Sequence, residues 1–162
     1  MSEKCVLEIF VELNPDNIST LHSTAGGVIM IPFGGVARGE IFNGVILPGG
    51  VDTQLIGANG VLHMSARYML DGTDLTGERC RIFIENNGYF SDGEVPNPFK
   101  TVPTFWTDSR KLAPYLHREV FRGEGYTSGD TVVIKIFEHG EDNKFYSQSI
   151  RQYEFSQRWS NY

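Results

Sequence analysis

Apolar and polar residues alternate with a period of two along much of this chain. In residues 4–13, Cys5, Leu7, Ile9, Val11 and Leu13 fall on one face and Glu8 and Glu12 on the other, as in a half-buried strand. Residues 28–33 form a continuous apolar run, suited to a strand covered on both sides. Residues 39–47, 61–70, 79–86 and 131–138 read as further strands, and 145–155 as another. Five pairs, Asn43-Gly44, Asn59-Gly60, Asp71-Gly72, Asn87-Gly88 and Asp92-Gly93, carry the residues that tight hairpin turns prefer. The pattern predicts an all-β fold: one antiparallel β-barrel of about eight strands, since no crossover-length helices separate the strands. One short helical segment is expected near 109–117, capped by Asp108 or Ser109 and kept short by Pro114. Residues 91–101 hold two prolines and read as a long loop.

Composition agrees with one packed domain. The chain has 162 residues, 40% apolar, with eleven Phe, seven Tyr and two Trp. A net charge of −6 without a Lys/Arg run argues against nucleic acid and anionic membranes as partners. No stretch reaches the ~18 apolar residues of a membrane span, and the first residues lack the order of a secretion signal. Cys5 and Cys80 form no disulfide framework, so a cytoplasmic setting is expected, and the Asn17-Ile18-Ser19 triplet is incidental there. His22, His63, His117 and His139 show no metal-ligand spacing, and no phosphate-cradling or nucleophile-elbow motif occurs. Neither a metal nor a cofactor is expected.

One polar row carries candidate chemistry. On the 61–70 strand, Val61, His63, Ser65, Arg67 and Met69 share a face opposite Leu62, Met64, Ala66, Tyr68 and Leu70. If the polar row lines a cavity, His63 can move a proton and Arg67 can hold an anionic group, with Glu40 or Tyr68 assisting. Alternation alone favours the opposite setting, with the polar row outside and Leu62, Met64, Ala66 and Leu70 as core. Asp52 serves either as a cavity acid or as a turn cap after Pro48-Gly49-Gly50. Phe105 and Trp106 read first as core or interface residues, with ligand stacking as the alternative.

The succession Gly34-Gly35-Val36-Ala37-Arg38-Gly39, Pro48-Gly49-Gly50-Val51-Asp52, Asn59-Gly60, Arg67-Tyr68 and Asp71-Gly72, then Pro103-Thr104-Phe105-Trp106-Thr107, resembles the family known as domain of unknown function 3237. The likeness runs over residues 5–138. It implies a small barrel similar to allene-oxide-cyclase-like and lipocalin-like barrels, packed as homo-oligomers. It also implies recurrent polar positions at Asp52, Ser65 and Arg67, which fit either a row turned inward on a cavity or a buried bridge from Arg67 to Asp52 or Glu40 that pins the barrel. The chain departs from the family pattern at Thr53, Ser65, Trp106 and His117. Residues 1–138 are therefore expected to form the barrel and 139–162 an extension. Three functions stay open: binding of a small, partly apolar molecule; a cofactor-independent isomerase, cyclase or lyase using His63 and Arg67; and a structural protein whose barrel is filled by its own side chains.

Overall fold

The computed structural model describes residues 3–91 and 94–139. It is a closed antiparallel β-barrel. Its strands are β1 (Lys4–Leu13), β2 (Ser19–Ser23), β3 (Gly26–Arg38), β4 (Phe42–Ile46), β5 (Val51–Gly57), β6 (Leu62–Asp74), β7 (Arg79–Phe90), β8 (Phe99–Thr107), β9 (Phe121–Ser128) and β10 (Thr131–Glu138). The ring runs β1-β10-β9-β8-β7-β6, then through β4 and β5 to β3, which pairs back with β1. β4 and β5 share one ring position, each bridging β3 and β6 along a different stretch. β2 lies outside the ring and extends the β1 side along β3. Eight positions close the ring, while β2, paired only with β3 among the described residues, keeps an outer edge.

Strand alternation sends a dense apolar set to one half of the interior. Phe42, Leu7, Ile9, Leu70, Ile82, Ile84 and Ile136 are at most 1% exposed. The short helix α1 (Ala113–Leu116) caps this half, adding Leu112 and Leu116 to the core. Ser109 caps the turn, as the sequence suggests. Its hydroxyl accepts from the Leu112 amide at 3.1 Å, and its carbonyl accepts from Ala113 at 2.9 Å. Asp108 instead receives the Arg81 amide at 2.8 Å.

The Asn-Gly and Asp-Gly expectation needs correction. Only Asn59-Gly60 makes a described turn, with Gly60 at φ +81°; Asp92-Gly93 lies outside the described residues. Asn43-Gly44, Asp71-Gly72 and Asn87-Gly88 sit inside β4, β6 and β7. Gly44 and Gly72 face each other across the β4–β6 ladder. A Cβ on Gly72 would fall 2.1 Å from the Asn43 carbonyl oxygen, so bare backbone is needed for close approach rather than for turning.

Two inward glycines on β9 make room for β8. Thr101 pairs with Gly123 and Phe99 with Gly125. A Cβ on Gly125 would sit 2.0 Å from the Phe99 ring. Gly125→Ala is expected to cost about 1–3 kcal/mol by forcing that ring aside. Urea unfolding measures the loss, and an unchanged midpoint would contradict the packing.

Among the described residues no helix is long and apolar enough to cross a membrane. Of the expected 139–162 extension only His139 is described, its amide bonded to the Val120 carbonyl at 2.7 Å. The expected strand at 145–155 lies outside the described residues.

Candidate functional site

The other half of the barrel holds a cavity of about 250 Å³. The inward faces of β1, β3 and β10 supply Val11, Leu13, Ile31, Phe33, Val132 and Ile134. β6 supplies Met64, Ala66 and Tyr68, while Phe99 comes from β8. Val95 and Thr127 line the cavity and are also exposed, so they mark its mouth. The apolar half capped by α1 is its floor.

Besides Thr127 at the mouth, five polar side chains interrupt this lining: Asp52, Gln54, Tyr68, Asn86 and Thr101. Strand register places them. Asp52 on β5 pairs with Ala66, which pairs in turn with Asn86 on β7. A small methyl therefore separates a carboxylate and an amide in one lateral row. Tyr68 lies two positions nearer the floor, its ring edge-on to Phe33 with centroids 5.2 Å apart.

The hydrogen bonding of this set is incomplete. Gln54 Nε2 donates to Asp52 Oδ2 at 2.8 Å, holding the carboxylate in place. Asp52 Oδ1, Tyr68 OH, Asn86 Oδ1 and Thr101 Oγ1 are buried and have no hydrogen-bond partner among the described residues. These are the only side-chain atoms so placed in the described chain, and all four belong to the cavity lining. Buried polar atoms are nearly always satisfied, and each orphan costs about 1–3 kcal/mol. Burial raises the Asp52 pKa above its ordinary value, against the Gln54 hydrogen bond and the charge of His63. Burial likewise pushes the Tyr68 phenol upward, so it stays a neutral donor.

The inward setting of the His63 row is overturned. Leu62, Met64, Ala66, Tyr68 and Leu70 point inward, and His63, Ser65 and Arg67 point outward. The outer row is linked across strands. His63 Nε2 lies 3.0 Å from Asn87 Oδ1 and its ring stacks on Tyr89 at 4.3 Å. Asn87 Nδ2 donates to Glu85 at 3.1 Å, and Glu85 meets Arg67 at 3.3 Å. These partners come from β7, which pairs with β6, and they satisfy His63 and Arg67 without an interior. The isomerase, cyclase or lyase arrangement resting on His63 and Arg67 therefore loses its shared cavity. A buried bridge from Arg67 to Asp52 or Glu40 is also absent, because Glu40 pairs with Lys4 at 2.9 Å on the surface.

The other candidates divide. Asp52 and Tyr68 reach the cavity. Phe105 packs in the closed half, edge-on to Phe121 at 5.2 Å, and Trp106 points outward with 70% exposure. Gln54, Asn86 and Thr101 join the site without a motif that marks them in the sequence. Asn86 was accessible from the pattern, because Cys80, Ile82 and Ile84 set an inward period on which it falls next.

Comparison with known proteins points one way. The family model described as "Protein of unknown function (DUF3237)" matches residues 2–139. A UPF0311 protein of Clostridium acetobutylicum is 37% identical over 91 residues, 48% of this chain and 55% of that protein. The chain thus matches about half the length of that relative. A crystal structure of a protein of unknown function from Clostridium acetobutylicum superposes with a TM-score of 0.70 at 28% identity, covering 86% of this chain and 100% of the other. A β-barrel-like protein from Acinetobacter baumannii superposes with a TM-score of 0.67 at 25% identity, covering 85% and 94%.

Proposed function

The chain belongs to the DUF3237 family, and within that family of barrels we propose that it binds a small, uncharged, mostly apolar molecule bearing hydrogen-bonding groups. What carries this reading is the gathering of four buried, unpartnered polar atoms on one otherwise apolar cavity. Polar groups scattered by accident of packing would not converge on one space. A molecule with a carbonyl or hydroxyl group offset from an apolar body would satisfy several at once. At protein packing density, 250 Å³ suits roughly ten non-hydrogen atoms. An anionic ligand is disfavoured, because Asp52 faces the same space and the lining is too apolar to solvate a second charge. The filled-barrel alternative describes only the half of the interior above α1.

Native mass spectrometry of freshly purified protein, compared with a denatured sample, tests the reading. A recurrent bound mass of small-molecule size is expected, displaced when Ala66→Phe fills the gap between Asp52 and Asn86. Retention of the same mass by a folded Ala66→Phe chain would place binding elsewhere and overturn the proposal.

A further inference from the structure

The cavity holds more than anchors. One carboxylate oxygen, Asp52 Oδ1, points into it unpaired while the other is fixed by Gln54 at 2.8 Å. A neutral phenol, Tyr68, is also unpaired and faces the same space. Asp52 is opposite Ala66, so Tyr68 is its diagonal neighbour. Diagonal positions lie roughly 7–8 Å apart, and the short Ala66 side chain leaves the intervening space open. Such a gap accommodates an acidic C–H beside the carboxylate and the adjoining carbonyl oxygen beside the phenol.

Resting on the binding reading above, we propose that this cavity moves a proton within a bound carbonyl compound, with Asp52 as the base and then the acid and Tyr68 as the donor to the developing oxyanion. In the first step the C–H bond next to the carbonyl breaks and its proton passes to Asp52 Oδ1. The released electron pair forms a C–C double bond, and the carbonyl π pair moves onto oxygen, where the Tyr68 hydroxyl hydrogen-bonds it. In the second step Asp52 returns the proton to another carbon of the conjugated system and the carbonyl re-forms. Nothing is oxidised or reduced and no co-reactant enters, so the step is an isomerisation. Gln54 is a positioning residue that leaves only Oδ1 available. Two environments with two protonation behaviours, a desolvated carboxylate and a phenol kept neutral, are what such chemistry requires.

The probe is 5-nitrobenzisoxazole, whose ring opens when a base removes its C–H proton: the N–O bond breaks and a coloured cyanophenolate forms. Saturable ring opening by the folded wild type is expected. Asp52→Asn should lower the rate by about a hundredfold or more, and Tyr68→Phe by at least about tenfold. The unreactive, uncharged isostere 5-nitrobenzofuran, which has neither an N–O bond to break nor an ionisable N–H, should bind the folded wild type in calorimetry. The wild-type pH profile supplies a readout that does not depend on a variant folding. The rate should fall with acid through a titration above the ordinary aspartate value. Gln54 on β5, Tyr68 and outward-facing His63 on β6, and Asn86 on β7 surround Asp52, which with Tyr68 completes the ionisable groups of the described lining. Isostere binding without ring opening, or a rate indifferent to Asp52→Asn, would overturn proton transfer and leave the binding reading standing. Failure of the isostere to bind would overturn both.

Discussion

A chain carrying Phe42→Ala is expected to lose about 3–5 kcal/mol of unfolding free energy, the largest loss from a single truncation in this barrel. Phe42 is fully buried at the floor, on the short strand β4. Its ring lies over Gly44, where an added Cβ would come within 2.8 Å of it. Beside it the β4 and β6 backbones already touch at Gly44 and Gly72, so the walls cannot move inward to close the hole. The lost transfer energy and the cavity term therefore add. Urea unfolding of wild type and variant measures the difference. A loss below about 1.5 kcal/mol would mean that the floor repacks as freely as a volume-conserving swap.

The second large effect has the opposite sign. Replacing Asp52 by Leu and Tyr68 by Phe together is expected to raise stability by about 2 kcal/mol at neutral pH. Two orphaned polar atoms disappear, offset in part by the lost Gln54 hydrogen bond. The same pair of changes should remove the recurrent bound mass, so stability and binding move in contrary directions. The pH dependence isolates Asp52. Its folded pKa is raised, so between the ordinary aspartate value and the raised one the folded chain keeps a proton that the unfolded chain releases. Its contribution is thus greatest at the acid end and falls as pH rises through that window. Asp74, Glu124 and Glu138, whose pKa values are lowered by hydrogen bonds from Thr76, Tyr126 and Tyr115 respectively, act the other way and lose their contribution as pH falls. Both chains retain those three groups. The difference between their urea midpoints across a pH series should therefore shrink toward acid, and a constant difference would contradict the assignment.

Alternation made the barrel legible wherever a strand shows one face to solvent. β1, β7 and β10 follow directly from the spacing of Ile, Val and Leu. β8 and β9 were harder because their inward positions carry Thr101, Pro103, Gly123 and Gly125, which read as loop residues. Thr101 forms part of the cavity wall, and Gly123 and Gly125 give Thr101 and Phe99 room. β5 was hidden for a related reason, since Asp52 and Gln54 occupy inward positions where a hydrophobic residue would have revealed the strand. The inward face of β6 is the least legible. Its period is plain, but both rows hold a mixture of polar and apolar groups, and only the neighbouring strands decide which one turns inward. The family likeness pulled toward the His63 row, whereas the simple rule of polar side chains outward matches the geometry. His63 and Arg67 do not need an interior when β7 supplies Asn87 and Glu85 to satisfy them.

The packed floor makes the barrel a blind well rather than a tunnel. On the binding proposed above, whatever enters past Val95 and Thr127 would have to leave by the same door, so one molecule would depart before its successor arrives. Tyr68 lies farther down than the Asp52–Asn86 row, and a carbonyl compound bound as proposed would enter head-first, its oxygen-bearing end leading.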